Sequence, residues 1–319
     1  MFEVIKQDLV DLEKAMVDAV ESPVEMITEI GTHLVNSGGK RLRPALYFLA
    51  AHCGKVFEQS KTTPLAVALE MIHMASLVHD DVIDSADLRR GSATANAKWG
   101  NQLAILGGDY LFAMAFSLVA KNNYETRITT GLSELICDLS AGEIIQNKEI
   151  YRASRDEQEY YDRIAKKTAN FLAICCEFGG IVANLSATEI NALAAYGKAL
   201  GMAFQITDDL LDLTASSEDI GKPAGNDILQ GIVTLPVIRA LEVSENAQEL
   251  ERIVTCREMT PAMLERAIEL VKETDGLDYA QAKVDEYLEL ACTVLPDTLP
   301  AEIREAYVLA TDFVRLRKS

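Results

Sequence analysis

Basic residues are scarce in this chain: 30 lysines and arginines stand against 49 acids, a formal charge of −19 over 319 residues. That balance argues against a nucleic-acid partner, because such binding rests on phosphate neutralisation by a basic surface. Cysteines are few and scattered (Cys53, Cys137, Cys175, Cys176, Cys256 and Cys292), with no CxxC and no histidine at zinc-finger spacing. They read as reduced, mostly buried thiols in a reducing compartment. No apolar run approaches the roughly 18 residues that cross a bilayer. The opening MFEVIKQDLVDLEK mixes charges into its apolar residues and lacks an uncharged signal core. A cytoplasmic protein is expected, with only transient membrane contact. Clear period-2 alternation, fixed repeats, low-complexity tracts and linkers are all missing, so the expected fold is one all-α domain over residues 1–319.

What is present is apolar content, 49% of the chain, enough for a core and against overall disorder. Helical starts are marked at Ser22-Pro23-Val24-Glu25, at Thr63-Pro64, at Ser154 with Glu157, at Ser186 with Glu189 and at Thr260-Pro261. The Ser154 helix is expected to stop at Gly179-Gly180. Gly38-Gly39, Gly107-Gly108 and the stretch from Gly221 to Gly231 read as loops between helices.

Two of these helices carry the same pattern. Asp80, Asp81 and Asp84 form DDVID, and Asp208, Asp209 and Asp212 form DDLLD, 128 positions later (208 − 80). Positions i, i+1 and i+4 share one side of a helix. Like charges at i,i+4 cost about 0.2–0.5 kcal/mol per pair, and each cluster sits near a helix C-terminus, where the macrodipole disfavours anions by about 0.3–1 kcal/mol. Local stability would not select this twice; a bound cation compensates both effects. Carboxylates without His or Cys partners suit magnesium, which takes few protein ligands together with substrate phosphates. Lys40, Arg41 and Arg43 in SGGKRLRP, Arg89 and Arg90, Lys167 with Thr168, and Lys222 in IGKPAGND supply cations for such a phosphate. One DDxxD alone is ordinarily a solvated acidic turn. An EF-hand lacks its central glycine here, and GKP lacks the rest of a Walker loop.

In order, GGKRLRP, EMIHMASLVHDDVIDSADLRRG, GDYL, KT, QITDDLLD and GKPAGNDILQG resemble the trans (all-E) polyprenyl diphosphate synthase family over nearly the whole chain. The resemblance implies an isoprenoid-synthase bundle of long antiparallel helices around a central cavity, normally a homodimer. It implies that an allylic prenyl diphosphate is condensed with isopentenyl diphosphate with three magnesium ions. Asp80, Asp81 and Asp84 would hold metal on the allylic diphosphate, and Asp208, Asp209 and Asp212 the remaining ion from the opposite wall. Arg89, Lys167 and Lys222 would contact the allylic diphosphate, with Thr168 and Gln205 lining that pocket. Gly39, Lys40, Arg43, His73 and Arg90 would take isopentenyl diphosphate, and Arg315, Arg317 and Lys318 would close over it.

In short-chain members an aromatic just before the first cluster forms the floor of the product tunnel. Here Ala75 and Ser76 leave it open, implying a medium- or long-chain product, unless Phe112 or Phe116 blocks it deeper. The segment IHMASLVHDDVID most resembles the large subunit of bacterial heptaprenyl diphosphate synthases, which in some bacteria works with a small partner subunit. The alternatives are a short-chain farnesyl or geranylgeranyl synthase and a non-catalytic subunit of a heteromeric synthase. Ala75 and Ser76 oppose the first, and two intact clusters oppose the second. A terpene cyclase lacks the second diphosphate site.

Overall fold

The computed structural model describes residues 3–214 and 224–317. The described residues are mainly helical and fall in two compact units: 3–136, 174–194 and 296–306 form the first, and 137–173, 195–214, 224–295 and 307–317 the second.

The first unit is built on α4 (Gln59–Ile83), whose stretch from Leu65 to Ile72 is buried on every side. A helix apolar all round belongs at the centre of a core, and each fully buried Leu or Ile there contributes about 1.5–3 kcal/mol. Around it pack α1 (Lys6–Ala19), α3 (Leu42–Ala51) and α6 (Asn101–Lys121), with α2 (Glu25–Asn36) on α6. Between α4 and α6 lie a two-stranded ladder, β1 (Leu88–Arg89) with β2 (Ser92–Ala93), and α5 (Ala95–Trp99). The ladder is a small excursion within an all-α fold, and two residues per strand are too few to leave a periodic signal in the sequence.

In the second unit α8 (Glu157–Ile164) runs through a π-helical turn, Ala165–Ala169, into α9 (Asn170–Val182). With it are the later part of α10 (Ala187–Thr214), α11 (Asn226–Leu229), α12 (Leu235–Val243), α13 (Ala247–Val254), α14 (Pro261–Lys272) and α15 (Gly276–Val294). Helix α12 packs on α8 and α15. The unit includes the end of α16 (Ala301–Arg315), where Tyr307 meets Tyr196 edge-on at 4.7 Å and Tyr196 Oη donates to the Tyr307 carbonyl at 2.7 Å. Helix α7 (Thr126–Glu149) contributes residues to both units.

Several boundaries differ from the sequence reading. Helix α2 starts at Glu25, because Ser22 Oγ instead accepts from Val24 N in a local turn. Helix α4 starts at Gln59, with Pro64 inside it. Asp156, not Ser154, caps α8, accepting from Gln158 N at 2.8 Å. Gly107-Gly108 lie within α6 and Gly179-Gly180 within α9: a Cβ at Gly108 would run into the His79 ring, and one at Gly179 into the Tyr47 carbonyl. These glycines permit close helix approach rather than breaking helices. Helix α6 is long and apolar enough to cross a membrane by length and composition, which the interruption at Asp109 hid in the sequence; Ala104, Gly108, Leu111, Ala115 and Val119 are buried in the unit. Of the thiols only Cys175 and Cys176 are fully buried, and Cys137 is exposed.

Candidate active site

Asp80, Asp81 and Asp84 end α4, with Asp84 as its C-cap. Asp81, only 4% exposed, accepts from Arg89 Nε at 2.8 Å. The β1–β2 hairpin brings Arg89 there. Its two-residue turn, Arg90-Gly91, has φ of +53° and +78°, the paired left-handed geometry that fits the twist of a tight hairpin. Thr94 Oγ1 and Asn96 Nδ2 both donate to the Ala86 carbonyl, at 2.7 and 2.9 Å, and fasten the hairpin behind α4. Arg90 Nη1 donates to the Gly38 carbonyl. A Cβ on Gly39 would fall 2.5 Å from that same nitrogen, so the absence of a side chain lets the guanidinium lie against the loop.

A pocket opens here, with His33, Glu70, His73, Asp81, Arg89 and Arg90 in its walls. Arg43 Nη1 stands 3.1 Å from His73 Nε2. A guanidinium can only donate, so Nε2 is the acceptor and His73 is neutral. Enclosure, then Arg43, Arg90, Arg89 and Arg41, push the His73 pKa well below its usual value. Arg43 at the imidazole, with Arg89 and Arg90 in the same pocket, makes a site for an anion. Lys40 is exposed beside it.

In the second unit Asp208, Asp209 and Asp212 lie in the last two turns of α10. Asp209 is 5% exposed; Tyr160 Oη donates to its Oδ2 at 2.7 Å and Gln205 Nε2 to its Oδ1 at 2.9 Å. Thr168 Oγ1 donates to Gln205 Oε1 at 2.7 Å. Burial nevertheless pushes the Asp209 carboxyl up to about 6, Asp208 adding to the effect while Tyr160 and Gln205 oppose it. Lys167 stands on the π-helical turn, its Nζ 2.6 Å from Glu143 Oε2 and 2.9 Å from Gln146 Oε1. Asp212 Oδ2 accepts from Asp227 N at 3.1 Å. Burial, Asp209 and Asp212 together push the Asp227 carboxyl well above the usual range.

Lys222 and Lys318 lie outside the described residues. The sequence reading did not single out Tyr160, Glu143, Gln146 or Asp227. Asp227 alone left a trace, as the acid of GND after GKP; the others depend on contacts between distant segments.

The residues fit a divalent cation. Both clusters are carboxylate oxygen alone, and cationic groups already rest on them: Arg89 on Asp81, and Arg317 on Asp208 at 2.6 Å. Among the described residues no three His, Cys, Asp or Glu side chains converge on a metal position.

The sequence profile of the family described as polyprenyl synthetase matches residues 24–271. Heptaprenyl diphosphate synthase component 2 of Geobacillus stearothermophilus is 41% identical, over 94% of this chain and 92% of that protein. Octaprenyl diphosphate synthase of Escherichia coli is 33% identical, over 93% and 92%. Heptaprenyl diphosphate synthase of Staphylococcus aureus superposes with a TM-score of 0.91 at 32% identity, over 99% of both chains. A polyprenyl synthase of Caulobacter crescentus, crystallised with calcium and isoprenyl diphosphate, gives 0.91 at 34%, over 99% and 96%. The chain belongs to the polyprenyl synthetase family of prenyltransferases, and its all-α fold is that of the isoprenyl diphosphate synthases.

Proposed function

We propose that this chain is a magnesium-dependent trans-polyprenyl diphosphate synthase that adds isopentenyl units to an allylic diphosphate and makes a medium- or long-chain product. The observation that carries the reading is the pocket in which Asp81, paired with Arg89 at 2.8 Å, borders a site where Arg43, Arg89 and Arg90 gather near a neutral His73. A metal-type carboxylate beside a dense anion site suits an enzyme that handles two diphosphates.

Asp80, Asp81, Asp84, Asp208, Asp209 and Asp212 would hold the magnesium ions, three in all. When bound, magnesium neutralises charge that builds on the leaving diphosphate. Arg89, Lys167 and Lys222 stabilise that charge more in the transition state than in the ground state. The allylic C1–O bond breaks with its electron pair going to the diphosphate. The isopentenyl double bond then forms the new C–C bond to C1, and a proton leaves the carbon next to the resulting cation to restore an allylic double bond. The released diphosphate is the acceptor for that proton. Glu143 and Gln146 fix the Lys167 ammonium, and Lys40, Arg43, His73 and Arg90 orient isopentenyl diphosphate.

The same reading makes the chain one catalytic domain acting in the cytoplasm, as a homodimer or with a small partner subunit; two relatives are named as component 2 of a heptaprenyl synthase.

The purified chain with magnesium, farnesyl diphosphate and labelled isopentenyl diphosphate should give dephosphorylated products longer than geranylgeraniol, and none with a chelator present. Geranylgeraniol as the endpoint would refute the long-chain part. No product from folded protein, with or without a partner subunit, would refute the catalytic reading.

A further inference from the structure

Arg41 sits inside the basic motif, yet its side chain turns away from it. Arg41 Nε and Nη2 donate to Glu13 Oε1 and Oε2 at 2.6 and 3.1 Å, Nη1 to Glu70 Oε1 at 2.7 Å, and Nη2 also to the Val35 carbonyl at 3.0 Å. The Arg41 and Glu70 side chains are 8% and 5% exposed. The Arg41 backbone is left-handed, φ +47°, after Gly38 and Gly39 at +68° and +159°. A residue with a Cβ adopts that conformation only when its surroundings impose it. From the opposite side Arg90 holds the Gly38 carbonyl.

The charges show what this arrangement is not. One guanidinium is shared by two carboxylates, so the triad is net negative and attracts no diphosphate of its own. Nor is a buried ion pair by itself an efficient source of stability, since desolvation offsets most of the attraction. What a bidentate guanidinium provides is direction. Here the direction is imposed on residues 38–41, which lead from one end into Lys40 and from the other into α3 and Arg43.

We propose that Glu70 and Glu13 are positioning residues: through Arg41 they set the turn at residues 38–41 and so present Lys40 and Arg43 to the diphosphate of isopentenyl diphosphate. The proposal rests on the assignment of that substrate to this pocket given above. Glu70 also lines the pocket, and its Oε2 has no hydrogen-bond partner among the described residues. This makes the sign of a substitution decisive. Glu70→Gln keeps the shape and removes a negative charge from an anion site, so simple electrostatics predicts tighter diphosphate binding. The positioning role predicts weaker binding.

Trp99, the only tryptophan, stacks edge-on against His33 at 5.3 Å, and His33 lines the pocket. Its fluorescence reports binding without turnover. In the full chain, Glu70→Gln should weaken isopentenyl diphosphate binding about tenfold, and Glu13→Gln, at the more exposed end of the triad, about threefold in the same direction. The KM for isopentenyl diphosphate should rise in step, while kcat and the KM for farnesyl diphosphate stay within about twofold. Unchanged or tighter binding in Glu70→Gln overturns the proposal. So does a parallel loss in both KM values and kcat that tracks melting temperature, which marks a merely structural triad. If Glu70→Gln does not fold, Glu13→Gln decides alone, by the same criteria. An unmodified chain that binds no isopentenyl diphosphate sinks the functional reading instead. The titration is then made with inorganic diphosphate, and equal affinity in unmodified and Glu70→Gln protein still overturns the clamp.

Discussion

Arg317 places its guanidinium 2.6 Å from Asp208 Oδ1, while its Cζ lies 4.4 Å from the centre of the Phe204 ring. A residue near the end of the chain thus neutralises the first carboxylate of the second cluster. A metal ion bound there must displace this guanidinium or share the carboxylate with it. Arg317→Gln should therefore bind magnesium about threefold more tightly, the scale of a partly exposed ion pair. Calorimetric titration in the absence of substrate measures this; weaker binding would show that Arg317 does not compete.

Tyr160 is the other side of the same balance. Its hydroxyl holds Asp209 Oδ2 inside the protein at 2.7 Å. Tyr160→Phe removes one donor from a buried carboxylate, and loss of such an orienting partner costs about tenfold or more in metal affinity. The magnesium concentration for half-maximal activity should rise by about that factor, with binding of isopentenyl diphosphate, read by Trp99 fluorescence, unchanged. A shift in both would mean the hydroxyl supports the fold rather than the cluster.

His73 predicts a pH dependence of stability. Facing it are Arg41, Arg43, Arg89 and Arg90, and Glu70 shares its pocket. Its folded pKa lies below the unfolded value of about 6.5. Above that pH neither state carries the proton and nothing is lost. As pH falls through about 6.5, the unfolded chain binds a proton that the native state refuses, so stability declines by at most about 1.4 kcal/mol per pH unit. His73→Gln retains a neutral acceptor for Arg43 and should flatten this limb. Melting temperatures between about pH 8 and about pH 5 test it; identical slopes in the two proteins would disprove the assignment.

Ala75 and Ser76 separate once the helix is in place. Ala75 is fully buried in the first unit, whereas Ser76 is partly exposed and donates to the His73 carbonyl at 2.9 Å. Ser76→Phe should therefore shorten the product by adding bulk on the accessible face. Ala75→Phe should instead overpack the core and cost about 1–3 kcal/mol of stability. Product sizing beside thermal denaturation distinguishes the two, and a shortened product from a fully stable Ala75→Phe would reverse the assignment.

The parts of this molecule that are legible in the sequence are the local ones. Ser186 and Glu189 exchange hydrogen bonds as a capping box, and Thr260 Oγ1 accepts from Met263 N ahead of Pro261. Both aspartate clusters end their helices, as their apolar stretches indicate. Gly38-Gly39 does lie between helices, but Gly107-Gly108 and Gly179-Gly180 misled, because the same residue that ends a helix also admits a neighbour, and only packing decides between the two. The contacts that shape the clusters, Tyr160 with Asp209 and Glu143 with Lys167, join residues 49 and 24 positions apart (209 − 160, 167 − 143). No local periodicity carries them.

The π-helical turn at Ala165–Ala169 imposes a limit of another kind. Such a turn holds one residue more than the α-helix around it, and it carries Lys167 and Thr168, which face Glu143 and Gln205, downstream of Tyr160, which faces Asp209. Deleting a single residue there would let the turn close as regular α-helix and would change where Lys167 and Thr168 project, successive helical side chains being about 100° apart. The length of this stretch therefore constrains the site as much as its side chains do: a one-residue indel between Tyr160 and Lys167 would draw the lysine away from Glu143 and Gln146 without altering any of the three.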